Sequence, residues 1–233
     1  MIKLKVIVLL AIACASFLFV GCQTTPKAGD GYAETLGDFE PIILDSMMIN
    51  TIEANSTELK AKSMKVVFFP EFNGIRFEFR FFSNAVQLDL TEVNRIALIN
   101  GMNAYLEQYK NKTLDQKNNK KKALFGKTDT AFKWGLLAPS YSTTIPLRFE
   151  YFILDQERPY FVMANASTPQ KTDSGKIVAG GGNSPALRIV LSPAQCVKLL
   201  ELINQDNLLS IVEALKTEAN TFDIYEFEGE ILE

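Results

Sequence analysis

Two long hairpin patterns, one in each half of the chain, most strongly constrain what this sequence can fold into. Residues 65–82 contain a run in which apolar and charged residues alternate, the period of a strand with one buried face. The apolar positions of that run are Ile75, Phe77, Phe79 and Phe81. Asn73-Gly74, just before them, is a strong signal for a turn between two strands. Residues 148–165 show a second hairpin pattern, so both halves of the chain are predicted to contain antiparallel strands.

Each hairpin pattern is followed by the same order of elements: a short strand, a hydroxyl residue that caps a helix, and the helix itself. Thr91 is the predicted cap in the first half, and Ser192, followed by Pro193, is the predicted cap in the second. We therefore predict an α+β fold with two ββββα units, in which antiparallel sheets pack against helices. The alternative is another α+β fold that has an antiparallel sheet with helices on one face. The predicted strands cover residues 41–52, 64–70, 75–81, 85–90, 130–138, 145–154, 159–166 and 186–191.

Two ββββα units in one chain resemble the Whirly, PC4 and PUR-type folds in topology, over roughly residues 41–204. The resemblance implies that the two units pair their sheets and helices about a pseudo-twofold axis. It does not extend to the nucleic-acid-binding motifs of those families, which this sequence lacks.

Composition and turn signals divide the chain into five predicted parts. These are a signal peptide at 1–21, a flexible tether at 22–40, a first β-rich unit plus helix at 41–112, a basic linker at 113–128 and a second β-rich unit plus C-terminal helices at 129–233. A further helix is predicted at 208–219. The final residues alternate apolar and acidic side chains, which is compatible with either an edge strand or a frayed acidic tail.

The N-terminus combines a short basic segment, Lys3 and Lys5, with an apolar run at 6–20 and a cysteine, Cys22. This pattern resembles a bacterial lipoprotein signal with its lipobox. The resemblance implies that Cys22 is acylated, with palmitate among the chains, and becomes the first residue of the mature protein. The predicted location is a lipid-anchored position in the cell envelope, on a periplasmic or surface face. An uncleaved N-terminal anchor and lipidation at Cys14 are the alternatives.

Composition excludes several kinds of site. The chain has no histidine, which removes Ser-His-Asp and Cys-His catalysis and histidine-liganded zinc. Loss of the signal peptide would leave 22 basic and 27 acidic side chains, a net charge of −5, so nucleic acid is not expected as a partner. Neither a cofactor nor a metal is expected. Cys196 would be the one remaining thiol and is predicted to be a small buried hydrophobe on a helix.

Two polar segments are candidate ligand-binding sites. Lys120, Lys121 and Lys122 lie in the basic linker, where a solvated connection is the simpler interpretation. Gly180, Gly181 and Gly182 lie in a long polar loop whose backbone amides favour an anion if they converge, although a mobile surface loop is the simpler interpretation. Aromatic residues of the second half are expected to be core, or to stack a ligand on a sheet face. They are Trp134, Tyr141, Tyr151, Tyr160 and Phe161.

These observations favour a membrane-tethered envelope lipoprotein that works as a non-enzymatic binding or interaction module, with an envelope protein as its partner. One alternative is a binding protein for a small or polymeric anionic ligand, using the basic linker and the glycine-rich loop. A histidine-independent hydrolase is the third hypothesis. It requires two carboxylates, or a serine and a lysine, to converge in one pocket.

Overall fold

The structure is a computed structural model that describes residues 35–53, 56, 58–115, 124–154, 158–172 and 174–219, together with the backbone of 220–229. Within these residues there are eight strands: β1 (Ile42–Ile52), β2 (Leu59–Phe69), β3 (Gly74–Phe81), β4 (Asn84–Leu90), β5 (Gly126–Gly135), β6 (Tyr141–Leu154), β7 (Arg158–Ala164) and β8 (Arg188–Leu191). The helices are α1 (Glu92–Lys110), α2 (Pro193–Ile203) and α3 (Gln205–Gly229), and a short 3-10 turn covers Pro70–Phe72.

The eight strands form one closed antiparallel barrel in sequence order. Each strand pairs with the next, and β1 closes the sheet by pairing with β8 through Asn50 opposite Val190 and Thr51 opposite Ile189. Closure removes the unpaired edges that an open sheet would present to other chains.

The predicted fold class is therefore wrong. The chain does not form two ββββα units with separate sheets packed against helices but is mostly one eight-stranded barrel with three helices. The decisive contact is the pairing of β4 with β5, in which Ala85 lies opposite Gly135 and Asp89 opposite Ala131. This pairing merges the two halves. Local alternation specifies a strand and its buried face, but backbone hydrogen bonds carry no sequence code for which distant strand pairs with which.

One face of the sheet and the helices share a single apolar core. The buried strand residues include Phe77, Leu88, Phe132 and Phe149, and the helices add others such as Leu98 and Leu199. Helix α1 comes close to the sheet at Gly101, where an added Cβ would lie 3.1 Å from a ring carbon of Phe149. A glycine at this position allows the helix backbone to approach the sheet.

Both helix caps occur as predicted. The Thr91 side chain accepts from the backbone amide of Asn94, whose side chain accepts in return from the amide of Thr91. Ser192 and Gln195 form the same reciprocal arrangement at the start of α2, with Pro193 in the first turn. Such capping boxes satisfy amides that otherwise have no partner at a helix start.

The barrel has two distinct ends, which we call the helix end and the turn end. The helix end contains the Pro70–Phe72 turn and the points where α1 follows β4 and α2 follows β8. The turn end contains the connections β3–β4 and β5–β6. The chain enters at the helix end, because the Leu36 amide donates to the Pro70 carbonyl oxygen at 3.0 Å.

The structure changes two further predictions. The predicted strand at 130–138 ends earlier, because β5 stops at Gly135 and a turn follows. The proposed C-terminal edge strand is wrong, since the backbone of α3 is helical as far as Gly229, whereas the helix predicted at 208–219 is confirmed. The signal peptide, Cys22 and most of the tether lie outside the described residues.

Candidate binding surface at the turn end of the barrel

Large apolar side chains are exposed at the turn end, close to where β3, β4, β5 and β6 begin or finish. Leu137 is 90% exposed, Leu136 is 68% exposed, Phe82 is 46% exposed and Tyr141 is 45% exposed. We call these four residues the apolar turn cluster. Scattered exposed apolar residues are normal on soluble proteins, but neighbouring ones that are this exposed indicate a contact surface.

Gly135 shapes the turn that projects the two leucines. A Cβ added at Gly135 would lie 2.1 Å from the carbonyl oxygen of Ala138, so a larger residue does not fit there. The Ser140 amide then donates to the Trp134 carbonyl oxygen at 3.0 Å and closes the turn. The two leucines therefore sit at a turn with a defined conformation rather than on an extended strand.

Arg80 joins the two turns that carry the cluster. Its Nη1 donates to the carbonyl oxygens of Ser83, in the β3–β4 turn, and Leu136, in the β5–β6 turn, each at 3.1 Å. Phe82, the residue before Ser83, has a left-handed backbone conformation with φ of 51°. The arginine thus holds Phe82 and Leu136 on one surface and partners the Leu136 carbonyl.

A stack of aromatic rings connects the cluster to the core. Tyr141 stacks on Trp134, and Trp134 stacks on Phe132, with ring centroids 5.7 Å apart in both pairs. Phe132 is fully buried and Trp134 is 5% exposed, so exposure rises along the stack toward Tyr141. Tyr141 therefore rests on a rigid base, and Trp134 lies directly beneath the surface.

An ion-pair network lies on the other face of the same strands. Asp89 accepts from Arg76 at 2.5 Å and 3.2 Å and pairs with Lys133 at 2.9 Å. Partial burial raises the pKa of Asp89, but the hydrogen bonds from Arg76 and Lys133 outweigh it and hold the pKa below its ordinary value. The network fixes the register of β3, β4 and β5, which lead to the turn end.

The candidate ligand-binding residues have different outcomes. Lys120, Lys121 and Lys122 lie outside the described residues. Gly180, Gly181 and Gly182 lie in the loop between β7 and β8, where the Gly181 amide donates to Val178 at 3.0 Å. That amide is occupied within the loop, and an anion-binding role of the three glycines stays a prediction.

The two halves of that candidate site approach different parts of β6. The loop contacts β6 where Thr143 Oγ1 donates to the Pro169 carbonyl oxygen at 3.0 Å. Two residues beside the basic linker contact β6 nearer its C-terminal end. The Asp115 amide donates to the Tyr151 hydroxyl, and the Phe125 amide donates to the Phe149 carbonyl oxygen. Thr143 and Phe149 are six positions apart on β6, so the two points of contact are separated by about 20 Å along the strand.

Cys196 is fully buried, as predicted, and burial raises the pKa of its thiol to about 12, far from a reactive thiolate. Within the described ranges, no group of three or more histidine, cysteine, aspartate or glutamate side chains is placed to hold a metal. In the same ranges no helix is long and apolar enough to cross a membrane.

Of the predicted aromatic residues, Trp134, Tyr151 and Phe161 are buried, Tyr160 is partly buried, and Tyr141 is 45% exposed. The sequence reasoning missed Leu136 and Leu137 because it extended a strand over them. The signal was present in the Pro139-Ser140 pair, which is typical of a turn and places the preceding apolar residues outside a strand.

Comparison with known proteins gives a family. The family described as "Uncharacterised Treponema protein" matches residues 40–210. A relative from Treponema pallidum (strain Nichols), described as "Uncharacterized protein", is 32% identical over 186 residues, which cover 80% of this chain and 65% of the relative. The chain therefore spans about two thirds of that relative's length. No solved structure matches.

Proposed function

Because this chain belongs to the family of uncharacterised Treponema proteins, we propose a function from its own residues: it is a membrane-tethered envelope lipoprotein that acts by binding. The barrel is its binding module. The anchor is the N-terminal lipid on Cys22. The partner lies in the cell envelope.

The anchor is supported by the order of the first residues. A basic segment, an apolar run of about 15 residues and Cys22 follow one another as in a lipoprotein signal. The residues between Cys22 and β1 are small, polar and rich in turn formers, which is typical of a flexible tether.

The binding role is carried by one observation: Leu136 and Leu137 are 68% and 90% exposed in a turn that Gly135 and Arg80 hold in place. Burying both leucines against a partner would contribute about 3 kcal/mol. A rigid apolar projection loses little conformational entropy on binding, so more of that free energy contributes to affinity.

The two ends of the barrel separate attachment from binding. The chain enters at the helix end, at Leu36, whereas the apolar turn cluster lies beyond the far end of β3. Eight strand residues correspond to about 25 Å. A barrel attached through its N-terminus would therefore have its binding surface away from the attachment point.

The anchor is tested by the intact mass of protein purified from its native membrane. We expect a mass that fits cleavage before Cys22 plus a diacylglyceryl group, with or without an N-acyl chain. An unprocessed or unlipidated mass would rule the anchor out.

Binding is tested by photocrosslinking in intact cells from a photoreactive residue that replaces Leu137. The control replaces Ile43, which is 61% exposed at the helix end. Specific products from position 137 alone support the proposal, and equal labelling from both positions contradicts it.

The alternative of an anionic ligand stays a prediction. It requires Lys120, Lys121 and Lys122, so their joint replacement by glutamine should weaken binding of a polyanion such as heparin and reduce its salt dependence. Unchanged binding would exclude this version.

A further inference from the structure

The apolar turn cluster has the chemistry of a surface that enters lipid. Two leucines project furthest, and aromatic residues lie behind them: Tyr141 is partly exposed and Trp134 lies beneath it in the same stack. Aliphatic side chains in the acyl region, with tyrosine and tryptophan at the headgroup level, are the arrangement found at membrane interfaces. A small convex projection also suits a deformable lipid surface, because a stable protein interface needs about 800 Å² on each partner.

The charges around the cluster suit an anionic surface. The two turns of the cluster, residues 82–83 and 136–140, contain no acidic residue, although the whole chain has a net charge of −3. Arg80 is exposed and donates to backbone carbonyl oxygens. The neighbouring loop adds Lys171 and Lys176, which are exposed, and one acid, Asp173. Basic groups beside an apolar projection favour anionic headgroups.

Two backbone carbonyl groups at the β5–β6 turn already have hydrogen-bond donors within the protein. The Leu136 carbonyl accepts from Arg80, and the Trp134 carbonyl accepts from Ser140. Both carbonyl groups would therefore keep a hydrogen-bond donor when insertion removes water. The arginine side chain can keep its charge at the headgroup level while it partners that carbonyl.

We infer that the apolar turn cluster inserts into the interfacial region of an anionic phospholipid surface, and that this surface belongs to a second membrane, opposite the one that holds the lipid anchor. The inference rests on the proposed function, because it takes the N-terminal lipid anchor as given. The position of Leu36 at that end and of Leu137 at the other supports the choice of the opposite membrane.

The mode of attachment explains why so small a cluster is sufficient. Two leucines bind a free bilayer only weakly, as a single short lipid chain does, and stable attachment requires two signals. Once the anchor confines the protein between two surfaces, the second contact is intramolecular in character and gains from the high effective concentration. The protein would act as a bridge between membranes.

Trp134 provides the test, because it is the single tryptophan of the chain and lies under the cluster. The processed protein is reconstituted through its own anchor into carrier vesicles of phosphatidylcholine. Acceptor vesicles contain phosphatidylglycerol with brominated acyl chains, which quench a tryptophan that reaches them. We expect quenching by brominated acceptors and none when the bromine is instead in the carriers.

Matched variants identify the residues responsible. Leu136→Ser combined with Leu137→Ser should reduce the recruitment of acceptor vesicles at least tenfold, because each leucine contributes apolar area. Ile43→Ser combined with Leu124→Ser removes two exposed apolar residues near the helix end, 61% and 51% exposed, and should leave recruitment unchanged. Unfolding by urea shows that both double variants remain folded.

The outcomes separate this inference from the proposed function. Quenching only by brominated carriers would overturn it in favour of insertion into the anchoring membrane. Absence of quenching, equal recruitment by the leucine variant, or crosslinking of Leu137 to an envelope protein would also overturn it. None of these affects the anchor, which is read independently from the intact mass and from flotation of the protein with its carriers.

Discussion

Nη1 of Arg95 donates to the carbonyl oxygen of Ile203 at 2.9 Å inside the core, which joins α1 to the last residue of α2. Nη2 donates to the side chains of Asn73 at 2.9 Å and Gln205 at 2.5 Å. Arg95 is fully buried, and its Nε has no hydrogen-bond partner. Burial lowers the pKa of the guanidinium, although nearby Glu92 raises it. One side chain of α1 thus connects the α2–α3 junction to the β2–β3 turn.

We expect Arg95→Ala to lower the free energy of unfolding by about 2–4 kcal/mol, because the buried oxygens of Ile203 and Asn73 would lose this donor. Urea unfolding of the purified protein measures the change. The control is Arg188→Ala, which removes an exposed arginine from β8 and should change stability by less than about 0.5 kcal/mol. Equal effects in the two variants would contradict a structural role for Arg95.

Replacing Gly101 by alanine should destabilise the protein despite the better helix propensity of alanine. The new methyl group would lie 3.1 Å and 3.2 Å from the ring and Cβ of Phe149, which is fully buried and cannot move away. Overpacking costs about 1–3 kcal/mol, whereas the helix gains about 1 kcal/mol. We expect a net loss of about 1 kcal/mol in urea unfolding. The control is the neighbouring exposed position, where Asn100→Ala should be neutral or slightly stabilising. A Gly101→Ala variant that is more stable than the wild-type protein would contradict the close packing of α1 on the sheet.

The Asp89 ion pairs should make stability depend on pH in the acid range. Its pKa in the folded protein lies below the ordinary value of 3.8, so the folded state binds fewer protons than the unfolded state in that range. The contribution is therefore fully present above about pH 4 and is lost as the pH falls through the folded pKa.

We expect Asp89→Asn to cost about 1–2 kcal/mol near neutral pH, because Arg76 and Lys133 lose their partner. The difference from the wild-type protein should shrink below about pH 4. Urea unfolding at a series of pH values measures both. Asp129→Asn changes an exposed aspartate on β5 and should show neither effect. A difference that persisted in acid would mean that charge is not its source.

The number of reactive thiols reports the state of the N-terminus. Cys196 is fully buried and its thiol has a pKa raised to about 12, so Ellman's reagent should not react with it in the native protein. If Cys22 carries a thioether lipid and Cys14 leaves with the signal peptide, denatured protein should show one thiol per chain. Two thiols would mean that cleavage or lipidation at Cys22 did not take place, or that Cys14 carries the lipid, and three would indicate an unprocessed chain.

Features that depend on neighbouring residues were predictable from the sequence. The alternation of Ile75, Phe77, Phe79 and Phe81 identified the buried face of β3, and all four are buried. Thr91 and Ser192 identified the helix starts, because a cap depends on residues within one turn. The buried character of Cys196 followed from its apolar helix neighbours.

Features that depend on distant residues were decided only by the tertiary structure. The pairing of β4 with β5 and of β1 with β8 turned the predicted two-unit fold into one barrel, since the same backbone groups could pair with any suitable edge. The barrel also determined that Leu136 and Leu137 are exposed in a turn that Arg80 contacts, and that Arg95 lies in the core and donates to oxygens from distant elements. The sequence by itself determined which residues turn inward or cap a helix, because those preferences are local; the tertiary structure decided which inward faces meet and which apolar residues stay outside, because burial depends on the whole chain.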